Sequence, residues 1–572
     1  MDNSCDNKEA KKLSRQLCVP DDAAAKQNGL VECFLGLLRE KTYGIVLALT
    51  LAFCYGYRCV SFVPGIDDLA TDYYRGIGLL AQGRFTSVLL TSLLGFFSEN
   101  PYAETFLGVL LFGAAAVVIC AFLRSVNQAI VTVGFCTVFT CLFLSCALIP
   151  ESFCFFGMPL AIAVNFIGTT AAVYFARKAI RGKKRLALLP AVVLLVLVVS
   201  LYEAFVVYYV SLVFAVFILE YLAAYRGPRL RFKTVLFDGL KYLAVLVAAV
   251  LVEYLVSALL IKLAGITETN YSDYALTPRY FSQGFFGTLI ITIKELVVYH
   301  LSGFWNFPVA VLNLSILLLL IFAVVSLIKT KNGVLPLLFA GLIFSLFLMS
   351  LITGEVAKPR GLQCAYFVDA FAFALLFAAV AKTNRKKLIA AVSACFVLLV
   401  VWQGGYINKL FYVENNKRTA ELTVLSQVYW QAAQTADVTA KPLIVVGDYS
   451  LNERQKEQCY ITTDAYGYRV LNRLLSGRLD AIFRPDQGRF VTPLTALSSR
   501  STVKWVINGL RGSNTELYAF FDYLGFVYVP CTSEQYERAC LLAQDMPEWG
   551  QQGCIKETGE FIIVKMFNSD AE

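Results

Sequence analysis

The stretch TYGIVLALTLAFCYGYRCVSFV, residues 42 to 63, runs directly into PGIDDLATDYYRGIGLLAQGRF, residues 64 to 85. The first half is apolar over about the 20 residues that a helix needs to cross a bilayer. The second half crowds Asp67, Asp68, Asp72, Arg75 and Arg84 just behind it, in a chain that is 58% hydrophobic and 16% charged. The apolar half decides the fold class, and the charged half poses the question of function.

Working outward, similar apolar blocks recur along the chain, whose mean hydropathy is +0.63. The expected fold is a polytopic α-helical membrane protein with about eleven spans, at 43 to 63, 103 to 124, 128 to 149, 155 to 176, 186 to 201, 203 to 224, 237 to 264, 308 to 328, 334 to 352, 362 to 381 and 388 to 405. The run from 186 to 224 is too long for one span and is expected to turn at SLYEAF, which puts Glu203 near a membrane boundary, where an acid is a candidate for function. A Glu that snorkels to the interface is the plainer alternative. The opening MDNSCDNKEAKKLSRQL is too polar for the core of a cleaved signal peptide, so the first span is expected to stay as an anchor. Between them, residues 22 to 40 put Leu30, Phe34, Leu37 and Leu38 on one side of an expected interfacial helix.

The net charge of +9 resides in short links, RKAIRGKKR (177 to 185), YRGPRLRFK (225 to 233), KTK (329 to 331) and KTNRKK (382 to 387). That is where the positive-inside rule concentrates cations, which argues for membrane lipids as partners and against nucleic acid. Reading each link as cytoplasmic puts the N-terminus inside and the C-terminal region outside. Most of the 16 cysteines lie in apolar runs, where cysteine behaves as a small hydrophobe. Cys459, Cys531, Cys540 and Cys554 fall in the C-terminal region and are open to two disulfides or to free thiols. With His300 the only histidine, there is little room for a histidine metal site or a Ser-His-Asp triad.

Three parts are expected: a cytoplasmic segment 1–41, a transmembrane domain 42–405 and a C-terminal α/β domain 406–572. In the last, KPLIVVGDYS and VKWVINGL read as buried strands, RVLNRLLSG, TELYAFFDYLGF and SEQYERACLLAQ as helices, and GCIKETGEFIIVKMF as a hairpin. Two loops, 64 to about 102 and 265 to 307, read as outer interfacial segments rich in aromatics.

If the segment from Asp67 is helical, Asp68 and Asp72 share a face, with Arg75 three residues further on and Arg84 following a glycine. Acids beside guanidinium groups at a membrane surface suit sugar transfer from a lipid-linked phosphate. A carboxylate takes the proton of the acceptor hydroxyl, and an arginine neutralises the departing phosphate. The competing reading is a capped helix with a surface ion pair worth about 0.3 to 0.5 kcal/mol.

The order of a span, an outer IDD, an Arg and then QGRF, followed by interfacial helices, resembles the Gtr family of serotype-converting glucosyltransferases of bacteria and their phages. LYEAF at 201 to 205, KPRGLQ at 358 to 363 and NNKRTAELTVLSQVYW at 415 to 430 extend the similarity. The resemblance implies a GT-C-type fold, catalytic acids in the first outer loop and an inverting transfer of a hexose, glucose in this family. The implied donor is a polyprenyl-phosphate-linked sugar and the implied acceptor a cell-surface polysaccharide, reached at the outer face of the bacterial inner membrane. A flippase and a polyprenyl-phosphate glycosyltransferase would be partners, and a divalent cation is left open. Asp67 and Asp68 match the acidic pair, with Asp68 the preferred base because Asp67 is better placed to cap. Arg75 and Arg84 match the following basic positions, and with Asp72 beside them they are the candidates to hold substrate. Glu203 stands where a Gln is expected, and Glu151 and Arg360 are further candidates for acceptor and phosphate contacts.

The alternative is a transporter or lipid-linked-sugar flippase. Transport pathways place ionisable groups near the midplane, and Glu253 and Asp369 are the two acids that fit that pattern. A membrane-anchored receptor with 406 to 572 as its binding module would leave the acidic loop without a role.

Overall fold

A computed structural model describes residues 29–61, 77–94, 100–155, 157–182, 184–223, 232–266, 280, 284–302, 307–330, 332–357, 359–447 and 514–567. The protein is mostly helical, and among the described residues nine helices are long and apolar enough to cross a membrane. The chain is a multi-pass membrane protein.

The helix α1 (Leu30–Arg39) starts at Gly29, whose amide donates to Glu32 at 3.1 Å. It buries Cys33 and Leu37, with Leu30 and Phe34 packed beside them; Leu38, expected on the same face, points outward. Then come α2 (Lys41–Val60), α3 (Ile77–Ala81), α4 (Phe85–Leu93), α5 (Pro101–Val126), α6 (Val133–Leu144), α7 (Pro150–Phe153), α8 (Met158–Ile180), α9 (Leu188–Leu201) and α10 (Phe205–Ala223). The bundle is completed by α11 (Phe232–Leu263), α12 (Phe285–Ser302), α13 (Phe307–Thr330), α14 (Val334–Thr353), α15 (Gln363–Ala381) and α16 (Lys386–Thr435).

Each of the eleven expected spans coincides with an apolar helix, but α6 has 12 residues and α9 has 14. At 1.5 Å per residue they are about 18 and 21 Å long, short of the roughly 30 Å hydrocarbon core. The break expected at SLYEAF is present: α9 ends at Leu201 and α10 begins at Phe205.

Packing centres on α5 and α8, which lie against each other where Gly108 removes the obstacle. A Cβ at Gly108 would come within 2.7 Å of the Leu160 amide nitrogen. Beside this contact Phe166 meets Phe143, Phe205 and Tyr208 edge-on at centroid distances of 4.9, 4.8 and 4.7 Å. Such edge-to-face rings fix orientation as well as filling space.

A second hydrophobic core forms around the far end of α16, with Val428, Tyr429 and Ala432 among its members. Strand β1 (Leu443–Val446), helices α17 (Thr515–Leu524) and α18 (Ser533–Ala543), and strands β2 (Ile555–Glu557) and β3 (Ile562–Lys565) build the rest. In this three-stranded sheet β3 is central, parallel to β1 and antiparallel to β2, which is the expected closing hairpin. The position 406 lies inside α16, so one continuous helix belongs to both cores. Cys540 and Cys554 are free thiols and Cys531 is buried, while Cys459 and the stretches VKWVINGL and RVLNRLLSG lie outside the described residues.

Candidate active site at one end of the bundle

The charged segment that opens the sequence question falls largely on residues 62–76, so Asp67, Asp68, Asp72 and Arg75 lie outside the described residues. Both flanks of that segment are described: the first is anchored to the end of the helical turn that bears Glu151, the second to Glu203 itself.

On the first flank, Arg58 sits in the last turn of α2 and is 5% exposed. Its Nε donates to the Phe153 carbonyl at 2.8 Å and its Nη2 to the Cys154 carbonyl at 3.1 Å. These two bonds clamp the end of α7, the single helical turn that carries the fully buried Glu151. A buried cation is tolerable there because carbonyl oxygens replace its water.

On the second flank, the chain turns at Gly83, whose φ is +77°, and its carbonyl accepts from Ser257 of α11 at 3.1 Å. Arg84 follows, with Nη2 3.3 Å from Glu203 Oε1 and its guanidinium 5.4 Å from the centre of the Tyr202 ring. Thr86 and Ser200 bond through their hydroxyls, and Ser87 donates to the Leu201 carbonyl at 3.4 Å. The start of α4 is thereby stitched to the α9–α10 turn.

Tyr202 joins the remaining pieces. Its hydroxyl donates to the Arg360 carbonyl at 3.2 Å, and the Arg360 guanidinium stands 5.5 Å from the centre of the Phe155 ring. Burial pushes the Tyr202 phenol up to about 12, Glu203 adds to the shift, and Arg84 and Arg360 oppose it; Glu151 contributes as well. The phenol therefore stays protonated and donating at neutral pH. Arg84, Glu203 and Arg360, separate in sequence, thus meet at one tyrosine. Residue types matter here: two carboxylates and two guanidinium groups at one end of a bundle can handle a hydroxyl and a phosphate together.

Some members of this neighbourhood carried no signal in the sequence. Tyr202 was visible only as a neighbour of Glu203. Arg58 resembles any cation snorkelling at the end of a span. The Arg418–Glu414 pair, at 3.0 Å and with both side chains about 5% exposed, lies in α16. Its only sequence signal was the NNKR stretch. Among the described residues no group of three His, Cys, Asp or Glu side chains could hold a metal ion.

The two acids that would favour transport have separate local partners. Glu253 of α11 accepts from Ser257 at 2.7 Å, whereas Asp369 of α15 accepts from Ser315 of α13.

Residues 56–380 match the family described as Glucosyl transferase GtrII, from the last turn of α2 through almost all of α15. The chain belongs to that family. The match takes in Arg58, Arg84, Glu151, Glu203 and Arg360, so the clamp, the stitched turn and the Tyr202 junction all lie within the GtrII region. The second core lies beyond it. Searches of curated proteins and of solved structures gave no match. Membership makes this protein a transferase of glucosyl groups built on a membrane-embedded scaffold.

Proposed function

We propose that this GtrII family member transfers glucose from a polyprenyl-phosphate donor to a cell-surface polysaccharide, at the outer face of the bacterial inner membrane, with inversion at the anomeric carbon. The supporting observation is that the described flanks of segment 62–76 are each tied beside a candidate group: Arg58 to the helix that bears Glu151, and Arg84 to Glu203. That segment holds Asp67, Asp68, Asp72 and Arg75.

In this reading Asp68, or Asp67 in its place, takes the proton from an acceptor hydroxyl. The hydroxyl oxygen attacks C1 of the glucosyl unit as the bond from C1 to the phosphate oxygen breaks. The electron pair leaves with the polyprenyl phosphate. Arg84 and Arg75 neutralise that charge, and Arg360 offers a further contact. Glu203 orients Arg84, Asp72 meets the acceptor, Glu151, buried in α7, backs the site without touching substrate, and the lipid tail never leaves the bilayer. The overall scaffold is a GT-C-type bundle with an α/β extracytoplasmic region formed around the second core.

The test is reconstitution of the purified full-length chain in liposomes with polyprenyl-phosphate glucose and polysaccharide. Loss of the donor with formation of a new glucosidic linkage is expected. Movement of the lipid-linked sugar across the bilayer with no new linkage would overturn the reading in favour of a flippase.

A further inference from the structure

At the other end of α8, about 34 Å from the candidate active site by the rise of its 23 residues, the molecule has a groove of quite different character. It is open to the surface, has a volume of about 620 Å³ and is lined by Phe175, Lys178, Lys184, Arg185, Leu186, Ala187 and Pro190.

The cations at this end divide into two sets. Arg177 and Arg181, four residues apart on one face of α8, are neutralised from the neighbouring helices. Arg177 pairs with Glu220 at 2.7 Å, and Arg181 pairs with Glu220 at 2.9 Å and Asp238 at 2.7 Å. Lys178 is rotated about 100° from Arg177 and faces the groove instead. Its ammonium stands 5.7 Å from the centre of the Tyr174 ring. Among the described residues Lys178, Lys184 and Arg185 form no ion pair. Among the described residues the acids Glu220 and Asp238 are thus occupied by Arg177, Arg181 and Lys241, and none of them compensates the groove cations.

The rest of the lining is apolar and continues outward: Leu186 and Leu189 are 91% and 70% exposed. In a bilayer these leucines meet acyl chains, while the three cations sit at headgroup level. Three cations over a greasy floor match an anionic phosphodiester attached to hydrocarbon, and a free anion would leave the apolar half unused.

We propose that this groove binds the headgroup of an anionic glycerophospholipid, with Lys178, Lys184 and Arg185 on its phosphate and Phe175, Leu186 and Pro190 along the upper part of a chain. The site is separate from the transferase centre and does not depend on its assignment.

Native mass spectrometry of the purified full-length protein, titrated with phosphatidylglycerol or phosphatidylcholine, tests it. Wild type should retain phosphatidylglycerol preferentially, and the K178Q/K184Q/R185Q variant should lose about tenfold or more of that preference. K329Q/K386Q/K387Q, which removes the same charge from other links, should keep it. The exposed pair K184Q/R185Q guards against misfolding and should show an intermediate loss. Equal preference in wild type and the groove variant, an equal loss in the control, or displacement of the lipid by millimolar inorganic phosphate would each overturn the proposal.

Discussion

Arg84 and Glu203 are 119 residues apart in sequence, yet Nη2 and Oε1 approach to 3.3 Å, tying the first loop to the α9–α10 turn. Glu203 is about half exposed, so the pair adds no more than about 1 kcal/mol to stability. Its value is in position. Arg84→Ala should therefore leave thermal stability nearly unchanged while lowering kcat by about 100- to 1000-fold, the usual cost of removing one donor to a developing anion. Glu203→Gln, which retains a hydrogen-bond acceptor for Arg84, should lower kcat less than tenfold in the same assay.

In the proposed mechanism the base is one of the acidic pair Asp67 and Asp68 of the first loop. Asp68→Asn should abolish glucosyl transfer with normal expression and membrane insertion, and Asp67→Asn should retain part of it. Full activity in both variants would remove the pair from the chemistry. Measuring donor binding separately distinguishes a lost base from a lost binding contact.

Arg58 acts through the backbone. Replacing it with Ala strands two buried carbonyls, at a cost of about 1 to 3 kcal/mol each. Thermal unfolding in detergent should fall accordingly, and transfer should fall with it because α7 carries Glu151. Arg58→Lys can satisfy one carbonyl well and should recover part of both losses. Stability equal to wild type in Arg58→Ala would show that the clamp is dispensable.

Tyr202 is expected to be silent to pH across the working range. Its phenol is raised from 10 to about 12, so its contribution is fully present below pH 10 and is lost as pH rises towards 12. Tyr202→Phe keeps the ring beside Arg84 but loses the bond to the Arg360 carbonyl, costing about 1 kcal/mol. Its pH–rate profile between 5 and 9 should overlay that of wild type; a displaced limb would give the phenol a proton-transfer role.

The α5–α8 contact leaves no room for a methyl group. Gly108→Ala puts a Cβ against the backbone at Leu160, which cannot swing away, and should destabilise the bundle by about 1 to 3 kcal/mol. A melting temperature unchanged by this substitution would mean that the two helices separate readily.

The positions of the apolar helices were legible because hydropathy over about 20 residues is an additive signal that needs no knowledge of neighbours. The turn at Tyr202 was legible for the same reason: 186 to 224 is too long for one crossing. Helix length was less legible. The expected last span ends at 405, where apolar residues thin out, but α16 runs on to Thr435 because its polar continuation has no proline and its buried side passes from the first core to the second. At the site, Arg84, Glu203, Glu151 and Arg360 could be nominated by their charge in an apolar chain. Tyr202 and Arg58 could not, since the first looks like any interfacial aromatic and the second like any flanking cation; what distinguishes them is a carbonyl brought by a distant segment.

The unbroken α16 has a mechanical consequence. Fifty residues at 1.5 Å make a rod about 75 Å long, seated in the membrane bundle at one end and in the small sheet at the other. A tilt of about 5° at the membrane end would carry the far end through roughly 6 Å, by the same rise per residue. The two cores are therefore coupled as the two ends of one lever, and any swivel between them would require α16 to bend.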